Sequence, residues 1–145
     1  MQADEERRRF AAARVARMAT VTAAGRPHLV PLVFATADDL VYSAVDDKPK
    51  STRDLRRLDH IAATGRASLL VDEYDEDWTL LWWVRVDCEA RVVNATSPDG
   101  TAGIRALVAK YPQYTAHPPA GPVIVFRPDR WAGWSATATR SGRAG

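Results

Sequence analysis

Apolar positions along this chain recur with two periods, one helical and one extended, and their alternation predicts most of the elements. Residues 4–18 (DEERRRFAAARVARM) combine helix formers, acids in the first turn and an apolar stripe of Ala11, Val15 and Met18 beside Phe10, which predicts an amphipathic helix. Residues 19–23 are short and β-prone, and Gly25 and Pro27 mark the turn that closes them. From residue 28 to 35 the period becomes two, with His28, Val30, Leu32 and Phe34 on one face and Leu29, Pro31, Val33 and Ala35 on the other. Pro31 has no ladder donor, so this strand carries a bulge or lies at a sheet edge. A turn over residues 36–39 leads into a third strand, residues 40–45 (LVYSAV).

Residues 46–57 (DDKPKSTRDLRR) follow, where a strand passes into a helix. A helix starting near Ser51 places Arg53, Arg56 and Arg57 on one side and Leu55, Leu58 and Ala62 on the other, and Gly65 ends it as a C-cap. Ser51 with Asp54 three residues later resembles a capping box, so free backbone N–H groups and the positive end of the helix dipole lie beside Lys50. These residues fit a phosphate cradle, and they also fit a solvated, capped surface helix.

Beyond Gly65, residues 67–71 form a continuous apolar strand, and the acidic run 72–77 lacks the glycine and ligand spacing of a calcium loop, which makes it a hairpin connection. Residues 78–93 (WTLLWWVRVDCEARVV) predict one long strand, with Leu80, Trp82, Val84 and Val86 opposite Leu81, Trp83, Arg85 and Asp87. Ser97-Pro98-Asp99 opens a second helix along Ile104, Leu107, Val108 and Tyr111, and Pro112 stops it. Residues 113–122 read as a loop, 123–126 as a final strand, and Arg127-Pro128-Asp129 as a turn. The sum is a mainly β chain with peripheral helices, a small antiparallel barrel in one domain over residues 1–145, with 1–6 and 136–145 as flexible ends.

Composition narrows the chemistry. A net charge of +2 fits a small anionic ligand about as well as weak nonspecific nucleic-acid contact; it is too mild to argue for DNA binding, and with acids nearly balancing bases a basic nucleic-acid module ranks last among the alternatives. The single cysteine and the absence of an apolar leader fit a reducing, cytoplasmic setting, and no apolar run approaches the roughly 20 residues of a membrane span. Cys88 sits mid-strand, and His28, His60 and His117 lack the spacing of a triad or a zinc site. Neither a Walker A motif nor a dinucleotide glycine fingerprint occurs. An enzyme built this way relies on a bound cofactor, with the protein supplying a groove and orientation.

The stretches RFAAARVARMATVTAAGRPHLVPLVFA, LVYSAVDDKPKSTRDLRRLDHI and ASLLVDEYDEDWTLLWWVRVDCEARVV, in that order, resemble the split β-barrel family related to pyridoxamine 5′-phosphate oxidase, and within it the actinobacterial branch of coenzyme F420-dependent oxidoreductases. The likeness spans about residues 7–135. It implies a homodimer with an FMN-binding type of barrel and a flavin or deazaflavin at the subunit interface. The cofactor phosphate then meets Lys50, Ser51, Thr52 and Arg57, with Lys48 as a further candidate. The ring system lies near Pro31, Leu32, Val33, Ser43, Ala44 and Val45, and Trp82 or Trp83 of the partner walls the site. The junction carries one residue more than the family's usual Lys-x-x-Asn, and Cys88 stands where glycine is usual. The implied activity is hydride transfer between F420 and an organic substrate. FMN in the same groove, or sequestration of a cofactor or tetrapyrrole without turnover, are the alternatives.

Overall fold

A computed structural model describes residues 1–45 and 52–137 of the chain, and of residues 52–55 the backbone alone. Its organising element is a pair of long antiparallel strands, β6 (Trp82–Val93) and β7 (Val123–Ser135). Around them one antiparallel sheet of seven strands curls in the order β2-β1-β5-β6-β7-β4-β3, a split half-barrel. The remaining strands are β1 (Ala16–Val21), β2 (Pro27–Leu32), β3 (Ala35–Ala37), β4 (Leu40–Ala44) and β5 (Arg66–Glu73). The helices are α1 (Ala3–Ala12), α2 (Thr52–Thr64), α3 (Pro98–Lys110) and the single turn α4 (Gln113–Ala116).

The alternation read from the sequence sorts the core. Met18, Leu69, Val71, Val84, Val86 and Phe126 are buried inside the curl. Phe10 of α1 plugs one end, its ring 4.8 Å from Phe34 and 5.4 Å edge-on from Trp131. Residues 1–6, expected as a flexible end, include the first turn of α1, and Met1 packs against the core. On the convex side α3 lies over β3, β4 and β7, close enough that a Cβ on Gly103 would stand 2.6 Å from Tyr42 Cδ1.

Several expectations hold. β2 is a sheet edge, as Pro31 requires. Gly65 takes φ +68° and sends its N–H to the Ile61 carbonyl at 2.7 Å. Ser97 caps α3 by accepting from the Gly100 N–H. The turn between β3 and β4 is tight, with both Asp38 and Asp39 left-handed at φ 49° and 67°.

Others are corrected. The first helix stops at Ala12 instead of running to residue 18, because Ala16, Met18 and Thr20 face inward from a strand whose Met18 pairs with Val30 and Leu69; ladder pairing outweighs helix propensity here. The strand expected over 28–35 breaks after Leu32, where Val33 and Phe34 are held by side chains instead of a ladder. β6 begins only at Trp82, since the Asp77 carboxylate accepts from the Thr79 N–H and winds Trp78–Leu80 into a single 3-10 turn. In α2 the docking residues are Leu58 and Ile61, and Ala62 is exposed. The turn expected at Arg127-Pro128-Asp129 is a β-bulge within one continuous strand. Cys88 opposes Pro128 and Asp87 opposes Arg130, which leaves Asp129 as the extra residue. A proline interior to β7 is tolerated at that break.

Phe10 joins α1 to the barrel, so Phe10→Ala should cost about 3–5 kcal/mol. Urea unfolding of the variant, with an unchanged slope and a lowered midpoint, is the expected outcome.

Candidate functional site

The sheet's free edges are β2 and β3, joined by the linker of Val33 and Phe34, and side chains cross the seam there. The Ser43 hydroxyl donates to the Val33 carbonyl at 2.8 Å, which brings the linker after β2 against the inner face of β4. Leu32, Ser43 and Val45 are buried there, Val33 and Ala44 half-buried, and Pro31 exposed. The Val45 N–H donates to the Pro122 carbonyl at 2.9 Å, so the chain leaving β4 is pinned just before residue 46.

The linker is also gripped from the end of α3. The Tyr111 hydroxyl accepts from the Phe34 N–H at 3.1 Å, and its one proton is shared between the Phe34 carbonyl at 2.8 Å and the Arg14 carbonyl at 3.0 Å. Lys110 Nζ donates to the Ala13 carbonyl at 2.6 Å and lies 3.8 Å from the centre of the Phe34 ring. Arg14 returns the contact, stacking 4.7 Å over Tyr111 and donating to the Lys110 carbonyl. Burial, helped by the Arg14 charge, pulls the Lys110 ammonium down to about 8. Burial raises the Tyr111 phenol.

The residues expected at a cofactor site are distributed unevenly. Val33 and Ser43 meet directly, with Leu32, Ala44 and Val45 adjoining them in chain. Lys48, Lys50 and Ser51 lie outside the described residues, and Thr52 opens α2 with its side chain not described. Arg57 is half-buried, its Nε out of solvent, on the side of α2 that carries His60 and Ile61, rather than on a wholly solvated face with Arg56. Trp82 points into its own barrel, under Arg9 at 5.1 Å. Trp83 is on the convex face, opposite Trp134. Tyr111, Lys110 and Arg14 were not among the expected site residues. Tyr111 carried only its place on the apolar stripe of α3, and its tip acts across 77 positions of sequence, a separation that local patterning does not register.

Side chains suited to direct catalysis are scarce. The Cys88 thiol is buried and pushed up to about 12, first by desolvation, so it is no nucleophile at neutral pH. His60 sits with Nδ1 3.1 Å from the Thr20 hydroxyl, and its ring meets His28 edge-on at 4.8 Å. Among the described residues no group of three or more His, Cys, Asp or Glu side chains is placed to hold a metal. At the seam Leu32, Ser43 and Val45 are buried, and the Val33 carbonyl is taken by the Ser43 hydroxyl.

The pyridoxamine 5′-phosphate oxidase family model matches residues 3–135. The chain belongs to this family. Among curated proteins none matches it. Solved structures with the same fold include a conserved hypothetical protein from Mycobacterium tuberculosis, with 17% identity, a TM-score of 0.75 and coverage of 100% of this chain and 91% of that one. The heme storage protein HutZ from Vibrio cholerae is similar at 15% identity and a TM-score of 0.71, covering 93% and 95%. An FAD-binding protein from Mesorhizobium loti is similar at 20% identity and a TM-score of 0.70, covering 92% and 94%. The fold is thus shared by proteins named for different ligands. No helix among the described residues is long and apolar enough to cross a membrane.

Lys110 sets a pH signature for the clasp. Its folded value of about 8 lies below the ordinary 10.5, so in that interval the unfolded chain holds the extra proton and stability rises with pH. The penalty for burying the charge is complete below about 8 and is relieved towards 10.5. Thermal unfolding of wild type against Lys110→Met across this range should show a difference that shrinks or changes sign as pH rises, while the Cys88 contribution cancels. A pH-independent difference would refute the buried-ammonium assignment.

Proposed function

We propose that this member of the family is an F420-dependent oxidoreductase, transferring a hydride between the deazaflavin and an organic substrate held against the ring's open face. One observation carries the reading: where Leu32, Val33, Ser43 and Ala44 adjoin, the backbone is fixed by Ser43 and Tyr111, and these four residues offer no thiol, imidazole or carboxylate. A planar ring bound there would supply two-electron carbon chemistry of its own. The chain's contribution is then to bind and orient, worth several kcal/mol of barrier when reactants are well placed. Arg57 on α2, with Lys48, Lys50, Ser51 and Thr52 at the junction before it, is the proposed phosphate-binding set, since cations beside a helix start stabilise an anion.

The homodimer belongs to the same proposal. The convex face of β2, β1, β5, β6 and β7 exposes Leu29 at 68%, Val21 at 45% and Trp134 at 37%, alongside half-buried Leu70 and Trp83. These apolar side chains alternate on the same face with Arg17, Ser68, Arg85 and Asp87, a mixed surface of the kind that self-association uses, and a second copy seated there would cover Trp83.

FMN in the same groove is the second reading, supported by the oxidase family model and by the likeness to an FAD-binding protein. Tetrapyrrole binding is the third reading, supported by the likeness to the heme storage protein from Vibrio cholerae; its iron ligand would come from outside Pro31, Leu32, Val33, Ser43, Ala44 and Val45, none of which is of the usual kinds.

Titration of the purified protein with F420 and with FMN, followed by ligand fluorescence, tests the proposal. Tighter binding of F420 is expected, weakened about tenfold or more in the Lys50→Ala, Arg57→Ala double variant, since charge-assisted hydrogen bonds are worth roughly 1.5–3 kcal/mol each. Preference for FMN would remove the deazaflavin assignment, and unchanged affinity in the double variant would remove the phosphate assignment. Size-exclusion mass should give a dimer; a monomer would eliminate the partner's tryptophan from the site.

A further inference from the structure

The clasp at the end of α3 acts on the backbone that lines the proposed groove, and it does so from outside the groove. We propose, on the basis of that groove, that Tyr111 is the positioning residue of the ring site, with Lys110 as its support.

Three contacts carry the inference. Phe34 lies in the linker between β2 and β3, and both of its backbone polar groups meet the Tyr111 hydroxyl, the N–H at 3.1 Å and the carbonyl at 2.8 Å. The preceding carbonyl, that of Val33, takes the Ser43 hydroxyl at 2.8 Å. The Phe34 side chain is buried, flanked by Phe10 on one side and the Lys110 ammonium on the other. An unladdered segment would ordinarily be the softest part of a barrel rim. Here its peptide groups are oriented by side chains from β4 and α3, and Val33 itself packs on Leu107 and Tyr111. Tyr111 in turn is braced by Arg14 over its ring and by a hydrogen bond towards the Arg14 carbonyl. The Val33–Phe34 backbone thus has the rigidity that orientation of a ring at the proposed groove demands, while the residue supplying it would touch no ligand.

Tyr111→Phe removes the hydroxyl and keeps the ring. Three readouts separate positioning from mere stability. In the cofactor-free protein the Phe34 amide should exchange with deuterium at least about tenfold faster, given the loss of a buried hydrogen bond. F420 and the phosphate-free deazaflavin riboside should both weaken by the same factor, about tenfold, whereas Arg57→Ala should weaken F420 alone. The absorption band of bound deazaflavin should shift in Tyr111→Phe and not in Arg57→Ala. If the wild type binds neither deazaflavin nor FMN, the groove reading falls and this one with it. If the wild type binds and Tyr111→Phe binds equally with the same spectrum, the positioning role alone is overturned. Should Tyr111→Phe fail to fold, Lys110→Met carries the same readouts through the Phe34 ring, and unchanged riboside affinity and spectrum there would overturn the proposal.

Discussion

The structure depends on a seam that hydrogen-bonded pairing does not close. Seven strands curl so that the linker after β2 meets β4, yet the ladder ends at β2 on one side and at β3 on the other. Open edges invite association with other chains. This sheet blunts them, with two prolines in β2 and with β3 reduced to three residues. Between the edges the backbone of Val33 and Phe34 would be left with unsatisfied polar groups, a cost of roughly 1–3 kcal/mol each when buried. Ser43 and Tyr111 meet that cost, and the price of leaving the barrel split is therefore two hydroxyls held at fixed positions. The opening they preserve is the feature that a fully paired barrel would lack.

The parts of this arrangement that could be read from the chain are those set by a residue's own backbone chemistry. Pro31 can lie only where no ladder donor is needed, Gly65 adopts a conformation that other residues resist, and Ser97 with Pro98 begins a helix by local hydrogen bonding and a preset φ. The misread parts are those decided at a distance. Residues 13–18 look helical in isolation and become strand because Val30 and Leu69 are waiting on either side of Met18. Asp129 looks like a turn residue and becomes the extra residue of a bulge because β6 continues past it. Around the seam, alternation made the strand placement of Leu32 and Ser43 legible, whereas the break at Val33 and Phe34 and the clasp on it were not, since Tyr111 and Phe34 are neighbours only after folding.

Electrostatics follow the same division between wall and surface. Ion pairs such as Arg66 with Asp129 at 2.8 Å, Arg17 with Asp72 at 3.5 Å, and Arg91 with Asp99 lie exposed, where each contributes little to stability. The charge that matters is the one drawn inward. Lys110 gives up part of its solvation to sit over Phe34, and that partial burial, with Arg14 nearby, lowers its affinity for the proton. Cys88, buried in the opposite sense, stays a neutral thiol.

The bulge at Asp129 also acts as a parity switch. Upstream of it the inward residues of β7 are even-numbered, Ile124 and Phe126; downstream they are odd-numbered, Trp131, Gly133 and Ser135. Gly133 must face inward, because Glu6 of α1 lies where its Cβ would be. A change of chain length by one residue between Phe126 and Trp131 would turn Trp131 to the convex face and present Ala132 to α1, whereas a change by two would preserve sidedness. The strand thus tolerates insertions in pairs and not singly, and the helix seated on its far half is what enforces the count.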